Sequence, residues 1–195
     1  MEEEDPNVLK RKTLEMDRIR RRLGFSNKLY VDCEGEGKRR IRGLTLFWKG
    51  HVDLALKSWS LNHKEVEGLG SDGKPIWRLM GIYGFPDDED KPKTWDLIRS
   101  LNNAELPWLC FADFTEILVQ DEKQVGPPKS QALLDEFQKV VLECDPRDLG
   151  FTGYRYTWSN YRGNGGNVQE PLDCFFARGA WLTIFPWNRV RHLPK

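Results

Sequence analysis

The sequence predicts a mixed α/β domain in which β-sheets pack on each other with helices outside. Two observations carry this. Short β-type runs are separated by glycines and polar turns, and amphipathic helical stretches fall among them. The two element types are mixed without strict alternation, which argues against a doubly wound parallel sheet.

Leu9, Met16, Ile19 and Leu23 share one helical face, and Gly24 follows as a stop signal. The outer side of that helix is basic. Strands are predicted at residues 29–33, 44–48, 52–56 and 76–83, with turns at Gly35-Glu36-Gly37 and Ser71-Asp72-Gly73. Trp95, Ile98 and Leu101 predict a helix with Thr94 as its N-cap. Residues 107–112 form a continuous apolar run, which suits a strand buried on both faces. Leu133, Leu134, Phe137, Val140, Val141 and Cys144 make the clearest amphipathic helix. Strands are predicted at 154–158 and 172–176, a short helix or turn at 181–185, and a last strand at 190–193. Gly163-Asn164-Gly165-Gly166 is read as a hairpin loop, because neither a Lys-Ser/Thr pair nor a helix start follows it.

Bulk properties narrow the function classes. The 195 residues fit one domain or one with pieces missing, and 39% of them are hydrophobic, enough for a core. Thirty basic residues balance thirty acidic ones, so no global field attracts nucleic acid or an anionic membrane. No apolar run approaches the roughly 20 residues that span a bilayer. The acidic start, Met1-Glu2-Glu3-Glu4-Asp5, is unlike a secretory signal. Cys33, Cys110, Cys144 and Cys174 are widely spaced, as expected of a reducing compartment, and an intracellular location follows, with nucleus and cytoplasm undistinguished. Locally the charge is uneven. Lys10, Arg11, Lys12, Arg18, Arg20, Arg21 and Arg22 form one basic segment, Lys38, Arg39, Arg40 and Arg42 a second, and Asp87-Asp88-Glu89-Asp90 an acidic turn. Solvated faces account for these runs, and a phosphate-contacting surface is the alternative. No small-molecule cofactor is implied.

The stretch from Trp108 to Leu118, Trp-Leu-Cys-Phe-Ala-Asp-Phe-Thr-Glu-Ile-Leu, carries most information. A buried strand ends in Asp113, where a carboxylate can bind a metal or orient water, although an ordinary strand-ending Asp reads the same way.

This stretch resembles the G-D-F-N-E-I-L segment of the endonuclease/exonuclease/phosphatase superfamily, in the form carried by plant non-LTR (LINE-type) retroelements. Other stretches resemble that family in the same order. Gly43 to Lys49 matches G-G-L-A-L-L-W-K, and Trp77 to Gly84 matches W-R-L-T-G-F-Y-G. Asp148 to Gly153 matches D-L-G-F-x-G, Tyr156 to Asn160 matches F-T-W-S-N, and Leu172-Asp173 matches the L-D of R-L-D-R. Residues 187–194 resemble the segment before the family's S-D-H motif. The resemblance implies a four-layer sandwich of two mainly antiparallel β-sheets flanked by helices, incomplete at both termini. Residues 14–195 would form the partial domain, with 1–13 a charged N-terminal segment.

The family hydrolyses phosphate esters with Mg²⁺ or Mn²⁺, which neutralises charge and stabilises the leaving oxygen. By resemblance, Asp113 matches the water-orienting Asp, Tyr83 the phosphate-facing Tyr, and Asp173 the carboxylate that orients the catalytic His. Trp158 and Asn160 match a nucleic-acid-contacting motif at the edge of the site. A core Tyr, a strand-end Asp, a packed ring and a turn-forming Asn are the alternative roles. Thr115 stands where the family has Asn, and it offers one hydroxyl in place of an amide. The family's metal-binding Glu has only Val8-Leu9-Lys10 near its place, and His192 matches a non-catalytic His. The expectation is therefore a retroelement endonuclease remnant with a vestigial site, weak DNA contact at most and no tightly held metal. An active endonuclease using substitute ligands, or a non-catalytic nucleic-acid-binding module, is the alternative.

Overall fold

The computed structural model describes residues 6–30, 44–102, 105–163 and 165–192. The turn at 35–37, Cys33, the basic patch at 38–42, and residue 193 lie outside them.

Helix α1 (Pro6–Arg22) runs into strand β1 (Asn27–Tyr30). The junction is closed by Arg20, whose guanidinium donates to the Phe25 and Ser26 carbonyls at 3.0 and 2.7 Å. Asp17 pairs with Lys28 at 2.8 Å, which holds its carboxyl below the usual range. Arg20 of the N-terminal basic segment is thus committed to this turn, while Arg18, Arg21 and Arg22 remain exposed. Strands β2 (Thr45–Trp48), β3 (Leu54–Trp59), β4 (His63–Leu69) and β5 (Pro75–Tyr83) follow, then helix α2 (Lys91–Leu101), strand β6 (Trp108–Asp113) and helix α3 (Gln131–Cys144). Short strands β7 (Arg147–Asp148), β8 (Thr152–Gly153), β9 (Trp158–Ser159) and β10 (Gln169–Glu170) lead to β11 (Asp173–Arg178), helix α4 (Trp181–Ile184) and β12 (Arg191–His192).

The central sheet has the order β3-β4-β5-β6-β11-β7, and only the β5–β6 pairing is parallel. The mixed fold class is the one the sequence predicts. The other strands form three pairs, β1–β2, β9–β10 and the parallel β8–β12. Met80 and Ile82 of β5, Trp108, Cys110 and Ala112 of β6, and Phe176 of β11 face α2 and α3, where Trp95 and Phe137 stack at 4.7 Å. Side chains alternate across a strand. Gly81 and Tyr83, Phe111 and Asp113, and Asp173 and Phe175 therefore share the opposite face.

Four expectations are corrected. Strand β6 alternates buried and half-buried positions and is not buried on both faces. Helix α2 starts three residues before Thr94, whose buried hydroxyl instead accepts the Phe85 N–H at 2.9 Å. Residues 154–157 are not strand, because the chain there loops back to meet β12. Strand β4 was not predicted at all.

Candidate active site

Register brings three of the predicted residues together. Tyr83 opposes Asp113 across the parallel β5–β6 pair, and Asp173 opposes Asp113 across β6–β11. Directly paired residues present side chains on the same face, with Cα atoms about 4.5–5.5 Å apart across antiparallel neighbours. Tyr83, Asp113 and Asp173 thus form one rung at one end of the sheet. Above it opens a cleft of about 330 Å³ whose floor is Phe111 and Phe175, stacked at 6.5 Å. Phe111 can lie there because residue 81 is Gly, where a Cβ would approach the ring to 2.7 Å.

The turn after β6 is held from three directions. The Gly84 N–H donates to the Asp113 carbonyl at 2.7 Å, and the Phe114 N–H donates to the Leu172 carbonyl at 3.1 Å. Gly84 is required, since a Cβ would lie 2.4 Å from the Phe114 carbonyl oxygen. The Asp113 carboxylate accepts the Thr115 N–H at 3.0 Å, an Asx-type turn that fixes its orientation. The Thr115 hydroxyl donates to the Phe85 carbonyl at 2.7 Å. Its single proton is therefore committed, and toward a ligand the oxygen can only accept. Thr115 has φ 57°, a left-handed conformation that is unusual for a β-branched residue and costs on the order of 1–3 kcal/mol.

Trp158 and Asn160 are placed on the β9–β10 hairpin and do not line the cleft. The Asn160 side chain accepts the Arg162 and Val168 N–H groups at 3.1 and 3.0 Å and donates to the Gly166 carbonyl at 3.1 Å. That is a turn-forming role, and Gly163, Gly165 and Gly166 lie in the loop of this hairpin, Asn164 being outside the described residues.

The sequence reading missed other cleft residues, Tyr156, Thr157, Arg191 and His192. The last two arrive through the β8–β12 pairing, which joins Thr152 to Arg191 and leaves no local sequence signal. Gly153 permits it, because a Cβ there would meet the His192 carbonyl oxygen at 2.4 Å. The His192 ring stacks on Phe151 at 4.1 Å, and its Nδ1 lies 2.9 Å from the Tyr154 carbonyl. That contact assigns the proton to Nδ1. Nε2 is buried with no hydrogen-bond partner among the described residues.

Burial pushes the Cys174 thiol up to about 12, with Asp148, Glu122, Asp173 and Asp113 adding to the effect. It stays protonated at neutral pH and is no thiolate nucleophile. Among the described residues no group of three or more His, Cys, Asp or Glu side chains is arranged to hold a metal ion. What the rung offers is two carboxylates, which can orient water, beside a phenol.

Among solved structures, the endonuclease domain of TRAS1, a telomere-specific non-LTR retrotransposon, superposes with a TM-score of 0.61 at 14% identity, over 82% of this chain and 70% of that one. The chain shares the fold of that endonuclease domain. The catalytic domain of human Nocturnin (TM-score 0.48, 11% identity, 83% of this chain and 63% of that one) and TDP2 from Caenorhabditis elegans (0.48, 12%, 84% and 50%) are more distant. The fold assignment rests on the TRAS1 domain. A scan against protein-family models found no match, and neither did a search of curated proteins. No described helix is long and apolar enough to cross a membrane.

Proposed function

We propose that this chain is a remnant of a metal-dependent, phosphodiester-cleaving endonuclease domain of the plant non-LTR retroelement kind, and that its site no longer cleaves DNA. The observation that carries the reading is Thr115. It follows Asp113 at the position where the family's motif has Asn, and its hydroxyl proton is committed to the Phe85 carbonyl. A phosphate oxygen arriving there meets an acceptor where the ancestral amide would have donated. The backbone supports the same history. Left-handed φ is tolerated by Asn and disfavoured for Thr, so the turn retains the conformation of a residue it no longer has. Removing one such donor costs about 10²–10³ in rate.

Mg²⁺ or Mn²⁺, the family's metals, would neutralise the phosphate and stabilise the leaving oxygen. In this chain Asp113 and Asp173 are the carboxylates that could face such an ion, and Tyr83 could hold a phosphate oxygen. The test is nicking of supercoiled plasmid with Mg²⁺ or Mn²⁺. The expected result is no nicking above that of an Asp113→Ala variant, and Asp113-dependent nicking would overturn the inactive reading.

A second reading, a non-catalytic nucleic-acid-binding module, is favoured by one observation. Tyr154, Tyr161 and Trp187 expose 52%, 72% and 85% of their surface, and Arg155, Arg162 and Arg189 lie beside them in sequence. Exposed rings beside arginines can stack bases, at about 1–3 kcal/mol each, while the cations follow the backbone. Binding of single-stranded DNA that weakens linearly in log salt would support it.

A further inference from the structure

Five charged side chains run through the interior behind the cleft. The Lys91 ammonium, 1% exposed, pairs with the fully buried Glu116 and donates to the Thr115 carbonyl at 3.1 Å. The other Glu116 oxygen faces Lys129 at 3.5 Å. Lys129 reaches Glu170 at 3.1 Å, and the second Glu170 oxygen faces Lys123 at 3.1 Å. None of the five side chains is more than 18% exposed. Removing this many charges from water is expensive, and buried ion pairs are weak sources of net stability. Their geometry, though, is directional. One end grips the turn that carries Asp113 and Thr115. The other end is Glu170 of β10, whose carbonyl accepts the N–H of Thr157 at 3.2 Å. Thr157 lines the cleft, and its hydroxyl accepts the Asp173 N–H at 3.0 Å.

We infer that Lys91, Glu116, Lys129 and Glu170 form a continuous positioning network that sets the Asp113 turn relative to the root of the β9–β10 hairpin, so that the two walls of the cleft move as one body. Lys91 is the positioning residue for the turn, and Glu170 is its counterpart at the hairpin. A ligand that presses on the hairpin root would be felt at Asp113 through Lys129. The inference takes from the proposed function only the identity of the cleft, and it holds whether or not the site cleaves.

Amide hydrogen exchange on the full chain tests it. Glu170→Gln keeps shape and removes charge, and Lys129→Met removes the central link. Both substitutions lie far in sequence from the turn. Each is expected to raise exchange at Phe114, Thr115 and Ile117 by about 3–10-fold while Cys110 and Ala112 of β6 keep wild-type rates. If Glu170→Gln and Lys129→Met leave residues 114–117 unchanged, the network ends at Glu116 and the inference fails. It fails equally if exchange rises uniformly over β5, β6 and the turn, which is the signature of lost global stability. Plasmid nicking does not enter these readouts, so this failure is separable from failure of the proposed function.

Discussion

Phe137→Ala is expected to destabilise the protein by about 3–5 kcal/mol, enough to consume much of the roughly 5–15 kcal/mol that holds an ordinary domain together. Phe137 is fully buried on α3. Its ring stacks on Trp95 at 4.7 Å and leans on Phe114 at 5.1 Å, and Phe114 leans on Phe176 at 5.8 Å. The ring therefore joins both helices to the central sheet and to the first residue after Asp113. Removing it opens a cavity that the adjoining Trp95 and Phe114 rings cannot fill without leaving their rotamers. At about 2–4 °C per kcal/mol for a chain of this size, the melting temperature should fall by roughly 6–20 °C. Thermal melting followed by circular dichroism measures it. A loss below about 1 kcal/mol would mean that α3 is not seated on the sheet as described.

Lys91→Met is expected to cost about 3–5 kcal/mol, because it leaves the Glu116 oxygen that it pairs with bare in the interior, with Lys129 and the Ile117 N–H on the far oxygen only, and leaves the Thr115 carbonyl without its donor. Glu116→Leu alone should cost less, because Lys91 keeps the Thr115 carbonyl at 3.1 Å and Asp88 at 3.4 Å. The two residues share one interaction, so the double variant should be less destabilised than the sum by about 1–3 kcal/mol. Chemical denaturation of the wild type, both single variants and the double variant closes the cycle. Simple additivity would show that the two side chains do not depend on each other.

Elements whose buried face is apolar were legible in the sequence, and elements whose buried face carries polar groups were not. Helix α3 announces itself because its apolar stripe is unbroken, and the stripe is the face it buries. Strands β5, β6 and β11 were legible to within one or two residues at each end for a similar reason, since a strand beneath two helices must be apolar on that side. Strand β4 was not legible. Its sequence, His63-Lys64-Glu65-Val66-Glu67-Gly68-Leu69, lacks apolar alternation, because two of its buried positions are Lys64 and Glu65. Glu65 is accommodated by Arg78 on β5, which also donates to the Leu101 carbonyl at 2.8 Å, and by the Ser58 hydroxyl, which donates to its carboxylate at 2.8 Å. Such tertiary pairing is invisible to hydropathy. The start of α2 was misplaced by a comparable override. Pro92 is at home in a first helical turn, and Thr94, though a good cap, is drawn inward by the Phe85 N–H. In the site, Tyr83, Asp113 and Asp173 were found through motif resemblance, and strand register explains why the motifs converge. Arg191 and His192 were missed as cleft residues because a parallel pairing spanning nearly forty residues brings them there.

Thr115→Asn examines the central claim most directly. The substitution rebuilds the Asp-x-Asn pair, and it places in the left-handed turn a residue that tolerates it. It also removes the hydroxyl bond to the Phe85 carbonyl. The two effects on stability oppose each other at about 1 kcal/mol each, so the variant should fold like the wild type. A restored donor is worth at most about 3–4 kcal/mol of transition-state stabilisation, and only where the rest of the constellation can use it. The measurement is nicking of supercoiled plasmid by wild type and Thr115→Asn with Mg²⁺ and with Mn²⁺, each beside its Asp113→Ala counterpart. The account predicts that all four proteins leave the plasmid equally intact. Asp113-dependent nicking by Thr115→Asn would contradict it, and would mean that this chain supplies the remaining groups from residues assigned here to other roles.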